Sequence, residues 1–441
     1  MLSFTARRRK PELLRPARPT PHEYKAVSDV YGQPALRFYP TGIEFFRARC
    51  HAASPGVVDD DPVTLIRAAL AEALVSYYPL AGRLLEVPVP ATGGTKMLVE
   101  CTAEGVVFVE ADADVRLEEF GQPLVPPYPC VEELLCDDVC EPQEVVVGKP
   151  LLFLQVTRFR NNSGLAIGYR FCHTIIDAFG MAQLLDDLLT ARAPASVTDN
   201  HSWHDQLPAA GARAEDIIWK TPLEHMVNRH FRFGPREMAA MRSEVPASLL
   251  KTTTVFELVT AAWRCRTAAL EYAPRQGVRV VIASNARRSW KPRSPIQLGF
   301  YGNALILRTA EATADELCGR PLRHALGLVR GSRFDVTDEY METMLADLLA
   351  RRPPPFYSQD WTYAVGDATS LSQRVAKLGS WDRAGGGITV AGPVAPASLL
   401  SYYGGEDNCV VVSMCLPPAA MNRFALRVSA WENKSRVTSS M

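Results

Sequence analysis

The sequence lacks the features that mark several common classes of protein. No apolar run approaches the ~20 residues needed to span a bilayer. The 48 basic residues balance the 48 acidic ones, so no net field favours nucleic acid or an anionic membrane as a partner. The Arg-rich start, MLSFTARRRKPELLRP, has no apolar segment of the kind that a secretory signal needs. We therefore expect a cytoplasmic protein; the terminal SSM is only a weak relative of the peroxisomal signal.

Metal-binding patterns are also scarce. The ten cysteines are scattered and, without a secretory signal, predict reduced thiols. Three of them lie close together but lack the paired C-x-x-C spacing of a zinc site: Cys130, Cys136 and Cys140. His201 and His204 have metal-like spacing, yet they lie in an irregular segment with no third ligand nearby. The sequence predicts no metal site.

Motifs for phosphate binding and serine catalysis are missing too. The Gly-rich stretch AGGGI at 384–388 does not belong to a P-loop or to a strand-bound G-x-G-x-x-G fingerprint. No G-x-S-x-G nucleophile elbow occurs. Any catalytic chemistry in the chain therefore depends on His173.

The apolar pattern predicts two α/β halves with mixed sheets. In the first half, Asp61 can cap a helix that precedes several strands, residues 151–177 predict a hairpin, and residues 178–193 predict a helix. The apolar spacing of the first helix predicts one buried stripe, namely Val63, Ile66, Leu70, Leu74 and Tyr77. Residues 192–216 lack apolar periodicity and predict a crossover linker. In the second half, residues 253–272 predict a helix with a capping box at Thr254 and Glu257, and residues 336–352 predict another helix. We therefore expect an N-terminal domain at 1–191 and a C-terminal domain at 217–441, with part of the latter packing against the N-terminal sheet.

The stretch FCHTIIDAFG, residues 171–180, holds His173 four residues before Asp177 at the exit of the predicted hairpin. An imidazole near neutral pKa at such a position can take a proton from a hydroxyl or thiol. The carboxylate of Asp177 could bond to the ring or anchor the turn. Because H-x-x-x-D is short and common, the pattern alone favours a polar pair that closes a strand over a catalytic base.

Eight ordered motifs resemble the BAHD acyltransferases of plants: YYPLAGRL, ECTAEGVVFVEADAD, PLLFLQVTRF, HTIIDAFG, TTTVFE, SNAR, YGNA and LPPAAMNRF. The opening looks most like the branch of benzyl alcohol O-benzoyltransferases and taxane-acetylating enzymes. The resemblance implies an α/β, two-domain fold related to chloramphenicol acetyltransferase, with mixed sheets, flanking helices and a channel between the domains.

The resemblance also implies a reaction. An acyl-CoA co-substrate would donate its acyl group to a small alcohol, with benzoyl-CoA and benzyl alcohol as the expected pair. Acetyl-CoA and hydroxycinnamoyl-CoA are alternative donors on the same scaffold. His173 would act as general base, while Asp177 would point away from the substrates and pair with an arginine. The matching arginine is Arg287, with Arg288 as the less favoured partner.

Further site residues follow from the resemblance alone. Thr254 is expected near the CoA channel, and Tyr301 and Asn303 of the YGN motif are expected to line it. No metal and no tightly bound cofactor are implied, and the protein is expected to be a monomer.

One motif departs from the family pattern. Where the family has Asp-Phe-Gly-Trp-Gly, this chain has DRAGG at 382–386, so only Asp382 and Gly386 match. In the family this motif has a structural role. The loss of its two aromatic rings reduces the apolar surface that this segment can bury. A diverged relative that binds CoA esters without turnover is therefore the alternative to an enzyme.

Overall fold

The computed structural model describes most of the chain: residues 2–27, 37–48, 61–89, 94–121, 124–136, 146–190, 216–285, 287, 299–333, 361–368, 377–378, 381–388, 397–403 and 409–438. The described strands are β1 (Ala6–Arg8), β2 (Glu12–Leu14), β3 (Tyr24–Ala26), β4 (Thr41–Ala48), β5 (Arg83–Val89), β6 (Gly94–Glu100), β7 (Val106–Ala113), β8 (Leu152–Phe159), β9 (Leu165–Phe171), β10 (Val227–Phe233), β11 (Gly277–Asn285), β12 (Leu305–Thr313), β13 (Thr362–Asp367), β14 (Lys377–Leu378), β15 (Trp381–Ile388), β16 (Ala397–Tyr403) and β17 (Cys409–Leu416). The described α-helices are α1 (Pro62–Ser76), α2 (Ala178–Thr190), α3 (Ile217–Lys220), α4 (Pro235–Ser243), α5 (Ala247–Leu250), α6 (Val255–Thr260), α7 (Trp263–Leu270), α8 (Ala314–Gly319), α9 (Leu322–Gly331) and α10 (Pro418–Thr438).

The chain forms two compact units, and neither is continuous in sequence. The first unit comprises Met1–Ala209, Ile296–Ala304 and Ser370–Val390. The second comprises Ala210–Pro295, Leu305–Thr369 and Ala391–Met441. Two short segments from the later part of the chain therefore complete the first unit.

A mixed eight-stranded sheet forms the frame of the first unit. Its order is β1-β7-β8-β9-β4-β15-β14, with β2 also paired to β7. The β8–β9 hairpin predicted from the sequence is confirmed, and Asn161 and Asn162 occupy left-handed backbone conformations at its turn. Asparagine tolerates this conformation better than most residues do, which explains why the turn falls there. A separate three-stranded sheet has the order β3-β6-β5.

Helices α1 and α2 cover one face of the large sheet. Asp61 caps α1 as predicted, because its side chain accepts a hydrogen bond from the backbone N–H of Thr64. The helical stripe predicted from the apolar spacing is buried, namely Val63, Ile66, Leu70, Leu74 and Tyr77. These residues share one core with apolar residues of α2 and of the hairpin strands. Only the six residues 172–177 separate the end of β9 from the start of α2.

The second unit is built on a six-stranded mixed sheet of order β10-β17-β16-β13-β11-β12. Its core includes residues of α4, α7, α9 and α10. The capping box predicted at Thr254 and Glu257 is present at the start of α6. The predicted helix at 336–352 lies outside the described residues, as does the predicted linker except for Asp216. Within the described part of the chain, no helix is long and apolar enough to cross a membrane.

Candidate active site

His173 lies two residues beyond the end of β9, on a turn that leads into α2. Its backbone N–H donates a 3.0 Å hydrogen bond to the carbonyl of Phe38. The imidazole lies against two aromatic rings, with centroids 5.1 Å from Phe38 and 6.3 Å from Phe171. The side chain is only partly exposed. The two aromatic rings therefore shield part of the imidazole from solvent, and the rest of the ring is accessible.

Burial lowers the pKa of His173 below its ordinary value of 6.5. The backbone carbonyl of His173 and the charge of Asp177 act in the opposite direction, with smaller effect. Nδ1 is buried and has no hydrogen-bond partner of good geometry among the described residues. The ring is therefore neutral at pH 7, and a neutral imidazole is the form that accepts a proton.

Asp177 holds the turn rather than facing solvent. Its side chain is 1% exposed. Oδ1 accepts a hydrogen bond from the N–H of Gly180 at 2.8 Å, and Oδ2 accepts one from the N–H of Ala304 at 2.9 Å. An ionised carboxylate offers only acceptors, and here each oxygen receives a backbone donor. Asp177 thus joins the histidine turn to the 299–304 segment.

Asn303 holds the same turn from the opposite direction. Its side-chain Nδ2 donates to the carbonyl of His173 at 2.7 Å and to that of Thr174 at 3.1 Å. Only the amide nitrogen of asparagine can donate, so these two carbonyls fix the orientation of the side chain. Asn303 therefore contacts the backbone of the predicted base directly.

Tyr301 and Gly180 form a close contact beneath the turn. A Cβ atom at residue 180 would lie 1.8 Å from the carbonyl oxygen of Tyr301, so only glycine fits this place. Tyr301 is 2% exposed, and its ring packs on that of Tyr77 with centroids 4.8 Å apart. The glycine that ends the FCHTIIDAFG stretch is thus required by the approach of the 299–304 segment.

Two predicted residues belong to the second unit. The hydroxyl of Thr254 accepts a hydrogen bond from the N–H of Glu257 and so caps α6. Arg287 donates from its backbone N–H and from Nη1 to Oδ1 of Asn285. The predicted pairing of Arg287 with Asp177 and the predicted role of Thr254 beside CoA stay predictions.

The segment that departs from the family motif lies in β15 of the first unit. Asp382 is exposed and stands opposite Arg47 of β4 in the strand register. Next to it, Nε of Arg383 donates to Oε2 of Glu44 at 2.7 Å, and its Nη2 donates to the carbonyl of Gly386 at 3.0 Å. An ion pair therefore occupies this part of the β4–β15 pairing.

The structure describes only some of the other candidate residues from the sequence. No group of three or more His, Cys, Asp or Glu residues that could hold a metal occurs in the described part of the chain. The eight cysteines that the structure describes are free thiols. His201, His204 and Cys140 lie outside the described residues. The described clusters thus leave the His173 turn as the candidate site.

Comparison with known proteins places this geometry in a class. The Transferase family model matches residues 7–430. Acyl transferase 1 of Oryza sativa subsp. japonica is 45% identical, over 98% of this chain and 97% of the relative. Benzyl alcohol O-benzoyltransferase of Petunia hybrida is 40% identical, over 96% of this chain and 93% of the relative. The class is therefore that of the acyltransferases.

The chain belongs to the Transferase family, and the resemblance to BAHD acyltransferases inferred from the motifs is confirmed. Solved structures confirm the fold. Vinorine synthase matches with a TM-score of 0.73 at 18% identity, over 97% of this chain and 98% of that one. The TRI101 protein of F. graminearum, complexed with coenzyme A and T-2 mycotoxin, matches with a TM-score of 0.64 at 13% identity, over 91% of this chain and 96% of that one. The predicted acyl-CoA-dependent acyltransferase activity is thereby supported.

Proposed function

We propose that this enzyme transfers a benzoyl group from benzoyl-CoA to a small alcohol such as benzyl alcohol, with His173 as the general base. Acetyl-CoA and hydroxycinnamoyl-CoA are the alternative donors. The observation that carries the proposal is the neutral, partly exposed imidazole on a turn held by both Asp177 and Asn303. A base fixed in this manner can meet a hydroxyl in one defined orientation.

The chemistry needs only the imidazole and the two substrates. His173 accepts the proton of the alcohol while the alcohol oxygen attacks the thioester carbonyl. The tetrahedral oxyanion that results collapses, the C–S bond breaks, and the CoA thiolate takes the proton back from the imidazolium. Nε2 is the nitrogen assigned to this transfer, because Nδ1 is buried. Holding both substrates together supplies much of the rate advantage.

The choice of donor and acceptor is supported by relatives. A benzyl alcohol O-benzoyltransferase of Nicotiana tabacum is 40% identical over 96% of this chain. A spermidine hydroxycinnamoyltransferase of Oryza sativa subsp. japonica is also 40% identical, over 87% of this chain. Relatives named for different acyl groups are equally identical to this chain. The identity of the acyl donor is therefore the first property to determine.

The test is a matrix of acyl-CoA donors and acceptors. Purified full-length protein is incubated with benzoyl-, acetyl- or p-coumaroyl-CoA and with benzyl alcohol, an aliphatic alcohol or spermidine, and products are identified by mass spectrometry. We expect benzyl benzoate to form with the highest kcat/KM. If another donor is clearly preferred, that donor takes the place of benzoyl-CoA in the proposal. If the folded protein forms no product with any pair of substrates, the proposal is contradicted.

A matched variant tests the role of the imidazole. His173→Ala should lower kcat about 10²- to 10⁴-fold, the usual contribution of a general base. Thr190→Ala, at an exposed position at the far end of α2, is the control for a substitution in the same unit. Equal activity of the His173→Ala and Thr190→Ala variants would exclude His173 as the base.

The remaining assignments form part of the same proposal. Thr254, Tyr301 and Asn303 are proposed to lie beside bound acyl-CoA, and Arg287 is proposed to pair with Asp177. Crosslinking with a photoreactive CoA analogue, followed by peptide mapping, tests the first group. A cytoplasmic monomer is proposed as the working form, to be checked by light scattering and by a fluorescent fusion.

A further inference from the structure

The segment 299–304 is held to the first unit at several points along its length. At one end, the N–H of Ala304 donates to Asp177. In the middle, Gly302 forms an antiparallel bridge with Ile176. The turn that carries His173 therefore depends on a segment far away in sequence, and the other end of that segment needs an anchor of its own.

Gln183 of α2 provides that anchor. Its Nε2 donates to the carbonyl of Gly299 at 2.8 Å and to the hydroxyl of Tyr77 at 3.1 Å. Gly299 has φ of 90°, a left-handed conformation that glycine adopts without strain. Both hydrogens of the Gln183 amide are thus used, and one of them fixes the carbonyl at the start of the segment.

The hydroxyl that Gln183 contacts is itself held. Tyr77 donates to Oδ2 of Asp187 at 2.6 Å and is fully buried. Its ring packs on Tyr301, which lies between the two ends of the segment. Gln183 therefore makes two separable bonds: one to the segment that reaches His173, and one to a tyrosine that belongs to the core.

We propose that Gln183 is a positioning residue for His173. By fixing Gly299, it holds the segment from which Asn303 bonds to the carbonyl of His173. The consequence for turnover rests on the proposed function, whereas the consequence for the placement of the imidazole does not. A displacement of the base by a fraction of an ångström is enough to slow an acyl transfer without weakening substrate binding.

The experiment compares two variants in the full chain. Gln183→Met keeps the length of the side chain and removes both donors. Tyr77→Phe is the matched control, because it removes the Gln183–Tyr77 bond and leaves the Gln183–Gly299 bond intact. We expect Gln183→Met to lower kcat about tenfold with KM within about twofold. Tyr77→Phe should lower the melting temperature and change neither kinetic constant by more than about twofold.

A second readout needs no turnover. Diethyl pyrocarbonate modifies accessible histidines, and peptide mass spectrometry gives the rate at His173 relative to the exposed His22. In Gln183→Met this relative rate should rise about threefold or more, because the turn opens more often, and in Tyr77→Phe it should not. Gln183→Glu, which replaces the donor by acceptors, serves the same purpose if the methionine variant does not fold.

The outcomes separate the two proposals. Slower turnover together with faster modification of His173 in the Gln183 variant, but not in the Tyr77 variant, supports the positioning role. An unchanged modification rate in a folded Gln183 variant overturns it, as does an equal change in both variants. If the unsubstituted protein forms no ester, the proposed function fails, and the modification rates still decide whether Gln183 positions the imidazole.

Discussion

Replacing Arg383 by methionine tests whether its ion pair holds β15 to β4. The pair is almost enclosed: 11% of the Arg383 side chain and 6% of the Glu44 side chain are exposed, and Nε lies 2.7 Å from Oε2. Methionine keeps a flexible apolar stem but removes the positive charge. Glu44 would then remain buried without its cation.

The expected loss is large because the carboxylate cannot reach solvent. Removing one partner of a buried ion pair costs about 3–5 kcal/mol. Burial already raises the pKa of Glu44 above 4.5, while Arg383 acts to lower it. Without Arg383 the pKa rises further, so the folded state retains a proton that the unfolded state releases above pH 4.5. Stability of the variant therefore falls as the pH rises, and the loss is greater at about pH 8 than at about pH 5.

Urea unfolding at both pH values measures this loss. The double variant Glu44→Gln/Arg383→Met is the comparison, since it leaves no buried charge and should recover most of the lost stability. A loss below about 1 kcal/mol for Arg383→Met at high pH would refute the reasoning. The reasoning would also be refuted if the double variant loses as much free energy of unfolding as the single variants Glu44→Gln and Arg383→Met lose together. The effects of independent residues add, whereas those of two ion-pair partners do not.

Three further predictions follow from the first unit. Since the pKa of His173 is lowered below 6.5, the acid limb of the pH profile of kcat/KM should have its midpoint below pH 6.5; a midpoint at or above 6.5 contradicts this. Asp61→Ala should cost about 1–2 kcal/mol at pH 7, because it removes both the ion pair with Arg158 and the helix cap at Thr64. Because the hydrogen bonds from Arg158, followed by those from Thr64, lower the pKa of Asp61 to about 2, thermal unfolding should show that difference shrinking as the pH falls below 3.8. Asp177→Asn should cost about 1–3 kcal/mol and lower kcat, because an amide cannot accept from both Gly180 and Ala304; unchanged melting temperature and kcat would contradict it.

Local patterns predicted the elements that their own residues determine. The stripe of α1, its cap at Asp61 and the β8–β9 hairpin all follow from short-range spacing and turn chemistry. The predicted helix after Thr254 is instead two helices, one ending at Thr260 and one beginning at Trp263. Alanines occupy the break, and alanine favours helix, so no residue there signals the interruption.

The site was predictable only where side chains carry it. His173 and Asp177 stand out as a motif, and the motif order identifies the family. Asp177 also accepts a hydrogen bond from the backbone N–H of Ala304. Nearly every residue has a backbone N–H, so the sequence gives no sign of this contact. Gln183 was missed for a related reason, because a glutamine on a helix is ordinary until the carbonyl of Gly299 is placed against it.

The first unit has a consequence for how the chain can be divided. Its large sheet includes β15, and its histidine turn is braced from 299–304. The turn therefore needs residues that are translated after Ala210–Pro295 of the second unit, and the sheet needs residues that are translated after Leu305–Thr369 as well. A gene fragment ending near residue 209 would encode the His173 turn with an unfilled sheet edge beside β4 and no asparagine on the carbonyl of His173. If the two halves of the chain are expressed separately, both Ile296–Ala304 and Ser370–Val390 of the second half must therefore bind to the first half to complete the first unit.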